Sequence, residues 1–200
     1  YFSTHRFFLY KKIIAINDKT YDLNNKYKNI KAKKIITFID TTLNEPDKVP
    51  YTYKPNHRQK ILFYEKLRKF LKLLSKKYNK KIIICVHPKT SKKEEYTYFK
   101  GMKCLRYKSS EIIKKSFINI FLSSTLVSNS IFLKKNILLI KSQLIGSFHL
   151  YRVNRLIQKF KLKHIDLDNT KPEIFLKNLQ FSNKNKFLSF KALSKEMLLI

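Results

Sequence analysis

The chain has 200 residues, 44% hydrophobic and 14% aromatic, with a formal net charge of +31 from 44 basic and 13 acidic side chains. That length and apolar content suit one medium-sized domain with a real core and argue against a disordered chain. Two cysteines, Cys85 and Cys104, exclude a disulfide scaffold, and with only Gly101 and Gly146 neither a P-loop nor a dinucleotide fingerprint can be written.

The chain begins at Tyr1 rather than Met and shows no leader pattern, as a fragment or processed form would. Residues 1 to 33 are mixed, with a candidate strand at Lys12–Ile16 and a polar stretch after it. Lys34–Ile39 is a short apolar run ending at Asp40, the pattern of a buried strand. Pro46, Pro50 and Pro55 mark a loop. Asn56 then caps a helix, with Gln59 as the reciprocal partner three residues on. Tyr64, Leu67, Leu71, Leu74 and Tyr78 recur at helical spacing over His57 to Tyr78, and Lys66, Lys69, Lys72 and Lys76 form the solvated face.

Ile82–Val86 is a second apolar strand, closed by His87-Pro88. Lys89 to Lys103 reads as a charged loop with at most one short turn. Ser109 or Ser110 is expected to cap a short helix through Ser116, with Glu111 at its positive end. Ser116 to Leu133 is uncharged, but its serines and asparagines make it strand, turn and helix rather than a membrane span. The strand is Ile118–Leu122, the turn Ser123-Ser124-Thr125, and the helix runs to about Leu133. Ile137–Ile140 is the next strand. A helix follows over Ser147 to Phe160, then a short strand at His164–Leu167, and two helices are expected from Pro172 to Ile200. Strands that are apolar throughout and alternate with helices predict an α/β fold, a Rossmann-like parallel sheet covered on both faces.

The charge has a plain origin. Lysine supplies 38 of the 44 basic residues and arginine only six. Lys, Asn, Ile, Phe and Tyr, whose codons are rich in A and T, make up more than half the chain, while Gly, Ala, Pro and Arg are scarce. Biased nucleotide composition accounts for this without a polyanionic partner. Nucleic-acid readers favour the arginine fork, and here the lysines are spread evenly. A lysine-rich nucleic-acid-binding module is therefore the lesser reading.

In a parallel sheet the ligand lies outside the carboxyl ends of the strands, so the residues that follow each strand are the candidates. Proline stops the second strand and holds His87 at the rim, where an imidazole can bind a phosphate oxygen or protonate a leaving group. It is equally well placed as a plain loop histidine. Ser123, Ser124 and Thr125 put hydroxyls and the first helical N–H groups at the same rim, an anion site that is compatible with ordinary capping. Asp166-Leu167-Asp168 has metal-binding D-x-D spacing but reads better as a strand end, and no metal site is expected. Cys85 is a small core residue. His5, His57, His149 and His164 share no motif and default to surface or satisfied positions.

Strand–His-Pro, loop, short helix, then strand–Ser-Ser-Thr–helix–strand resembles the carboxyl-terminal half of the GT-B glycosyltransferases of bacterial surface and capsular polysaccharide synthesis. The likeness is to the sialyltransferase-like enzymes with HP and SS motifs. It runs from about Lys34 to Ile145, strongest in IICVHPKT and IFLSSTLVSNSIFLKKNILLI. The resemblance implies that His87, Ser123, Ser124 and Thr125 hold the donor phosphate, with His87 catalytic. Asp40, Asn129 and Lys108 are further candidates; Asn129 stands where many such enzymes carry a ribose-binding Glu.

The same resemblance implies metal-independent transfer of a sugar from a nucleotide-sugar, CMP-linked donors included, to a glycan or glycolipid acceptor. No separate cofactor is expected. Residues 1–33 would be a linker or the remnant of an amino-terminal domain that supplies the acceptor site and often the base. Residues 34–200 would form the nucleotide-sugar domain. The expected location is cytoplasmic, with peripheral contact to the anionic inner membrane face. A sugar-nucleotide epimerase-like enzyme is the other alternative.

Overall fold

The structure, a computed structural model, describes residues 35–43 and 53–181. Its centre is a six-stranded sheet in the order β3-β2-β1-β4-β5-β6, parallel at every pairing. The strands are β1 (Ile35–Ile39), β2 (Lys81–Cys85), β3 (Lys103–Leu105), β4 (Ile118–Phe121), β5 (Asn136–Lys141) and β6 (Lys163–Asp166). The helices are α1 (His57–Tyr78), α2 (Lys92–Tyr98), α3 (Ser109–Lys115), α4 (Val127–Phe132), α5 (Ser147–Phe160) and α6 (Pro172–Asn178). This is the Rossmann-like α/β fold that the strand–helix alternation predicts. Central strands β1 and β4 carry no charge and are buried almost throughout, because helices cover both faces of a parallel sheet.

α1 has the predicted bounds. Asn56 Oδ1 accepts the Gln59 N–H at 2.9 Å, and Gln59 Oε1 accepts the Asn56 N–H at 2.8 Å. Tyr64, Leu67, Leu71 and Leu74 are buried beneath it, with Phe63 and Phe70. Tyr78 is half-buried, its ring centroid 5.4 Å from that of Phe117. Lys66 departs from the expected solvated row: its Nζ is 2.7 Å from Asp168 Oδ1, which ties α1 to the turn after β6.

Two local readings are corrected. The stretch from Lys89 to Lys103, expected as a loop, holds α2 and leads into β3. Ser91 and Glu94 close a capping box at the start of α2, a signal that the surrounding charge obscured. β3 is a three-residue edge strand beginning with a lysine, too short for any periodicity to show. Ser109 and Ser110 do not cap α3: Lys108 occupies the N-cap position without a side-chain cap bond. The candidate strand Lys12–Ile16 and the tail after Phe181 lie outside the described residues.

Gly146 is the N-cap of α5, and its φ of +85° favours glycine. A Cβ there would stand 2.8 Å from the Tyr53 carbonyl oxygen and 2.9 Å from Pro55 Cδ. With only two glycines in the chain, this one is retained where the backbone of residue 53 closes on the helix start.

Candidate functional site

The strand order reverses beside β1, which has β2 on one side and β4 on the other. Such a switch point opens a crevice at the carboxyl edge of the sheet. Ile39 pairs with Cys85 in β2 and with Phe121 in β4. Thr41, His87 and Ser123, each two residues further along, therefore stand level at this edge.

Asp40 sits under the His-Pro turn and organises it. Its carboxylate, 3% exposed, accepts the Tyr64 hydroxyl at 3.0 Å on Oδ1. On Oδ2 it accepts the His87 N–H at 3.2 Å and the Thr90 hydroxyl at 3.0 Å. Burial pushes this carboxyl above the usual range, and the bonds from His87, Tyr64 and Thr90 offset part of the rise. Buried and bonded to three donors, the Asp40 carboxylate holds the turn that carries His87.

His87 is half-buried, and its Nδ1 accepts the Lys89 N–H at 3.2 Å. In the neutral ring that contact assigns the remaining proton to Nε2. Arg106 fixes the turn from the other side. It donates to the carbonyls of His87 (3.4 Å), Pro88 (3.2 Å) and Thr90 (2.7 Å), and meets Glu95 Oε2 at 2.6 Å. Burial opposes ionisation of Glu95, but Arg106 and Lys92 outweigh it and hold its carboxyl below the usual range. The sequence reading missed Arg106. The signal available was that it is one of only six arginines among 44 basic residues.

The three hydroxyls after β4 have different situations. Ser123 is 1% exposed, and its Oγ lies 2.6 Å from Nδ1 of His149, a residue of α5 that is itself 6% exposed. Ser124 is half-buried; its Oγ accepts the Leu126 N–H at 3.2 Å and keeps its own proton to donate. Thr125 is exposed. His149 had no motif in the sequence, and only the docking of α5 beside β4 and β5 reveals its partner. Thr41, also unforeseen, has a buried Oγ1 with no hydrogen-bond partner among the described residues.

Asn129, 3% exposed, is in the first turn of α4. Lys108 is exposed beyond β3, two strands away from the switch point. Asp166 and Asp168 are engaged structurally: Asp166 accepts the N–H groups of Asp168 and Asn169 at 3.0 and 3.3 Å. Asp168 binds Lys66 and takes the Ser142 hydroxyl (2.9 Å) and the Gln143 N–H (2.7 Å). Among the described residues no group of three or more His, Cys, Asp or Glu is arranged for a metal ion. Burial raises the Cys85 and Cys104 thiols to about 11, so both stay protonated at neutral pH. No described helix is long and apolar enough to cross a membrane.

No known protein-family model and no curated protein matches the chain. Among solved structures it is similar to the UDP-GlcNAc 2-epimerase of Methanocaldococcus jannaschii, determined with UDP-GlcNAc and UDP. The identity is 13% and the TM-score 0.49, with 90% of this chain and 47% of that chain covered. The chain thus spans about half the length of that enzyme.

Proposed function

We propose that the chain is the donor-binding half of a glycosyltransferase that transfers a sugar from a nucleotide-sugar to a surface glycan or glycolipid. The carrying observation is the level placement of His87, Thr41 and Ser123 across the β1/β4 switch point, with His87 braced from beneath by Asp40. In this reading the His87 Nε2–H meets the leaving phosphate, joined by the Ser124 and Thr125 hydroxyls. The roles inside the serine cluster differ from a simple three-hydroxyl cradle. Ser123 is committed to His149 and acts by holding the loop, while Ser124 and Thr125 face the ligand. Asn129 and Lys108 remain outer candidates for the nucleoside and its phosphates.

The chemical contribution is electrostatic. As the glycosidic bond to phosphate breaks, negative charge grows on the phosphate, and donors already aimed at it stabilise that charge without reorganising. No metal or separate cofactor is invoked. The acceptor and the catalytic base would come from outside residues 34–200, and attachment to an anionic membrane face would bring the enzyme to a lipid-borne acceptor.

A thermal-shift panel of CMP, UDP, GDP and their sugars tests the reading. One nucleotide class is expected to raise the melting temperature, and His87→Ala is expected to remove that rise while leaving the unliganded melt in place. In the complete enzyme the same substitution should lower turnover by roughly 100-fold or more. Wild-type turnover in that variant would refute the assignment. Binding to nucleic acid alone, falling steeply with salt, would favour the lysine-rich module, and interconversion of free sugar-nucleotides would favour the epimerase-like enzyme.

A further inference from the structure

The turn after β3 holds a backbone conformation that its side chain disfavours. Tyr107 lies at φ +57°, the left-handed region in which a bulky residue is strained. Three other described residues besides glycine share a positive φ, and each closes a helix. Asn79 is the C-cap of α1, Lys161 that of α5, and Lys134 follows α4. No helix ends at Tyr107, which stands between β3 and the Lys108 N-cap of α3. Asparagine tolerates this conformation and is common in the chain, yet the position carries tyrosine. At 82%, Tyr107 is also the most exposed large apolar side chain among the described residues. Neither its ring nor its hydroxyl has a partner among them.

The fold gives that ring a setting. Leu105 pairs with Cys85, so Tyr107 stands two residues beyond the pairing, as His87 does on β2. The two segments stay tied there. The Val86 N–H donates to the Leu105 carbonyl at 2.9 Å, and Arg106 donates to the carbonyls of His87 and Pro88. Tyr107 therefore extends the row of Thr41, His87 and Ser123 by one strand, on the side of His87 away from β1. Beyond the other end of the row, the rings of Phe148 and Tyr151 already carry guanidinium groups. Arg152 is 5.6 Å from the first centroid and Arg155 5.7 Å from the second.

We propose that Tyr107 is the platform on which the nucleobase of the donor stacks while its phosphate meets His87. This role rests on the donor-binding reading and adds to it the residue that receives the base. A nucleobase presents a flat π-face, which an exposed tyrosine ring accepts whichever base it is. Arg106 has already fixed the backbone beside the ring, so less freedom is lost when a base arrives. Strain persists where the surrounding structure over-determines the backbone, and that clamp does so here.

The test is calorimetric titration of the full chain with CMP, UMP, GMP and ribose 5-phosphate, which keeps sugar and phosphate without a base. The tightest nucleotide is expected to exceed ribose 5-phosphate by about tenfold or more. Tyr107→Gly should lower that nucleotide's affinity about tenfold while holding or raising the melting temperature, since glycine adopts this φ freely. Tyr107→Phe, which keeps the ring, should bind within about threefold of wild type. Equal affinity for ribose 5-phosphate, or a loss in the phenylalanine variant as large as in the glycine one, would overturn the role. Binding and stability lost together in Tyr107→Gly would assign the ring to the fold instead. Full nucleotide affinity in Tyr107→Gly, with binding lost in His87→Ala, would overturn the stacking and leave the donor reading standing. Wild type that binds no nucleotide would overturn both.

Discussion

Asp40 and Ser123 show how single polar atoms at a strand end set the character of a site. Each terminates a buried strand, so each must find partners inside the protein or carry a desolvation penalty. Asp40 finds three donors, and the outcome is a rigid His-Pro turn. Ser123 finds His149, which fastens the serine turn to α5. Because both members of that second pair are buried, removing either one takes a hydrogen-bond partner from the other. In urea unfolding, Ser123→Ala and His149→Ala should each cost about 1–3 kcal/mol, with the double variant less destabilised than their sum by about 1 kcal/mol. Strict additivity would mean that the 2.6 Å contact contributes nothing to stability.

Among the elements, α2 and the His-Pro turn form one unit. The capping box at Ser91 starts α2, Glu95 projects back from it, and Arg106 joins that carboxylate to three carbonyls of the turn. A lysine has the charge but not the fork, so it can meet only part of this set. Arg106→Lys is expected to lower stability by about 1–2 kcal/mol and to weaken nucleotide binding several-fold through a looser His87. Lys72→Ala on the exposed face of α1 is the control that should move neither. Equal melting curves and equal nucleotide affinity for wild type and Arg106→Lys would show that the clamp is dispensable.

Over the whole molecule, long-range ties close the sheet at its far edge. Asp168 gathers Lys66 from α1, and Ser142 and Gln143 from the turn after β5. Burial works against its ionisation, but Lys66 and the two hydrogen bonds more than offset this, so its folded pKa lies below the ordinary value. A depressed carboxyl contributes stability that is present above its unfolded pKa, near 4, and is lost as pH falls through the folded value. Asp168→Asn should therefore cost stability at pH 7, by about 1–2 kcal/mol, and progressively less below pH 4. A difference between the two proteins that stays constant from pH 7 to pH 2 would rule out the charge as its source.

The sequence by itself determined the alternation of strands and helices, because that information is local. A capping box such as Asn56 with Gln59, apolar residues at helical spacing, and a strand stopped by proline are all complete within a few residues. It also placed His87 and the Ser123–Thr125 turn at strand ends, and so at the edge where a parallel sheet binds ligands. What it left open is everything that depends on which strands become neighbours. The order β3-β2-β1-β4-β5-β6 brings Thr41 level with His87 and Ser123, although they are separated by long stretches of chain. Hydrogen bonds between Ser123 and His149, from the His87 turn to Asp40, and between Lys66 and Asp168 arise only after that packing. No periodicity records such pairs, since each partner's local pattern is satisfied without the other. The clamp on the His-Pro turn did leave a trace in composition: in a chain where lysine is the default cation, Arg106 marks a place where the fold uses both arms of a guanidinium.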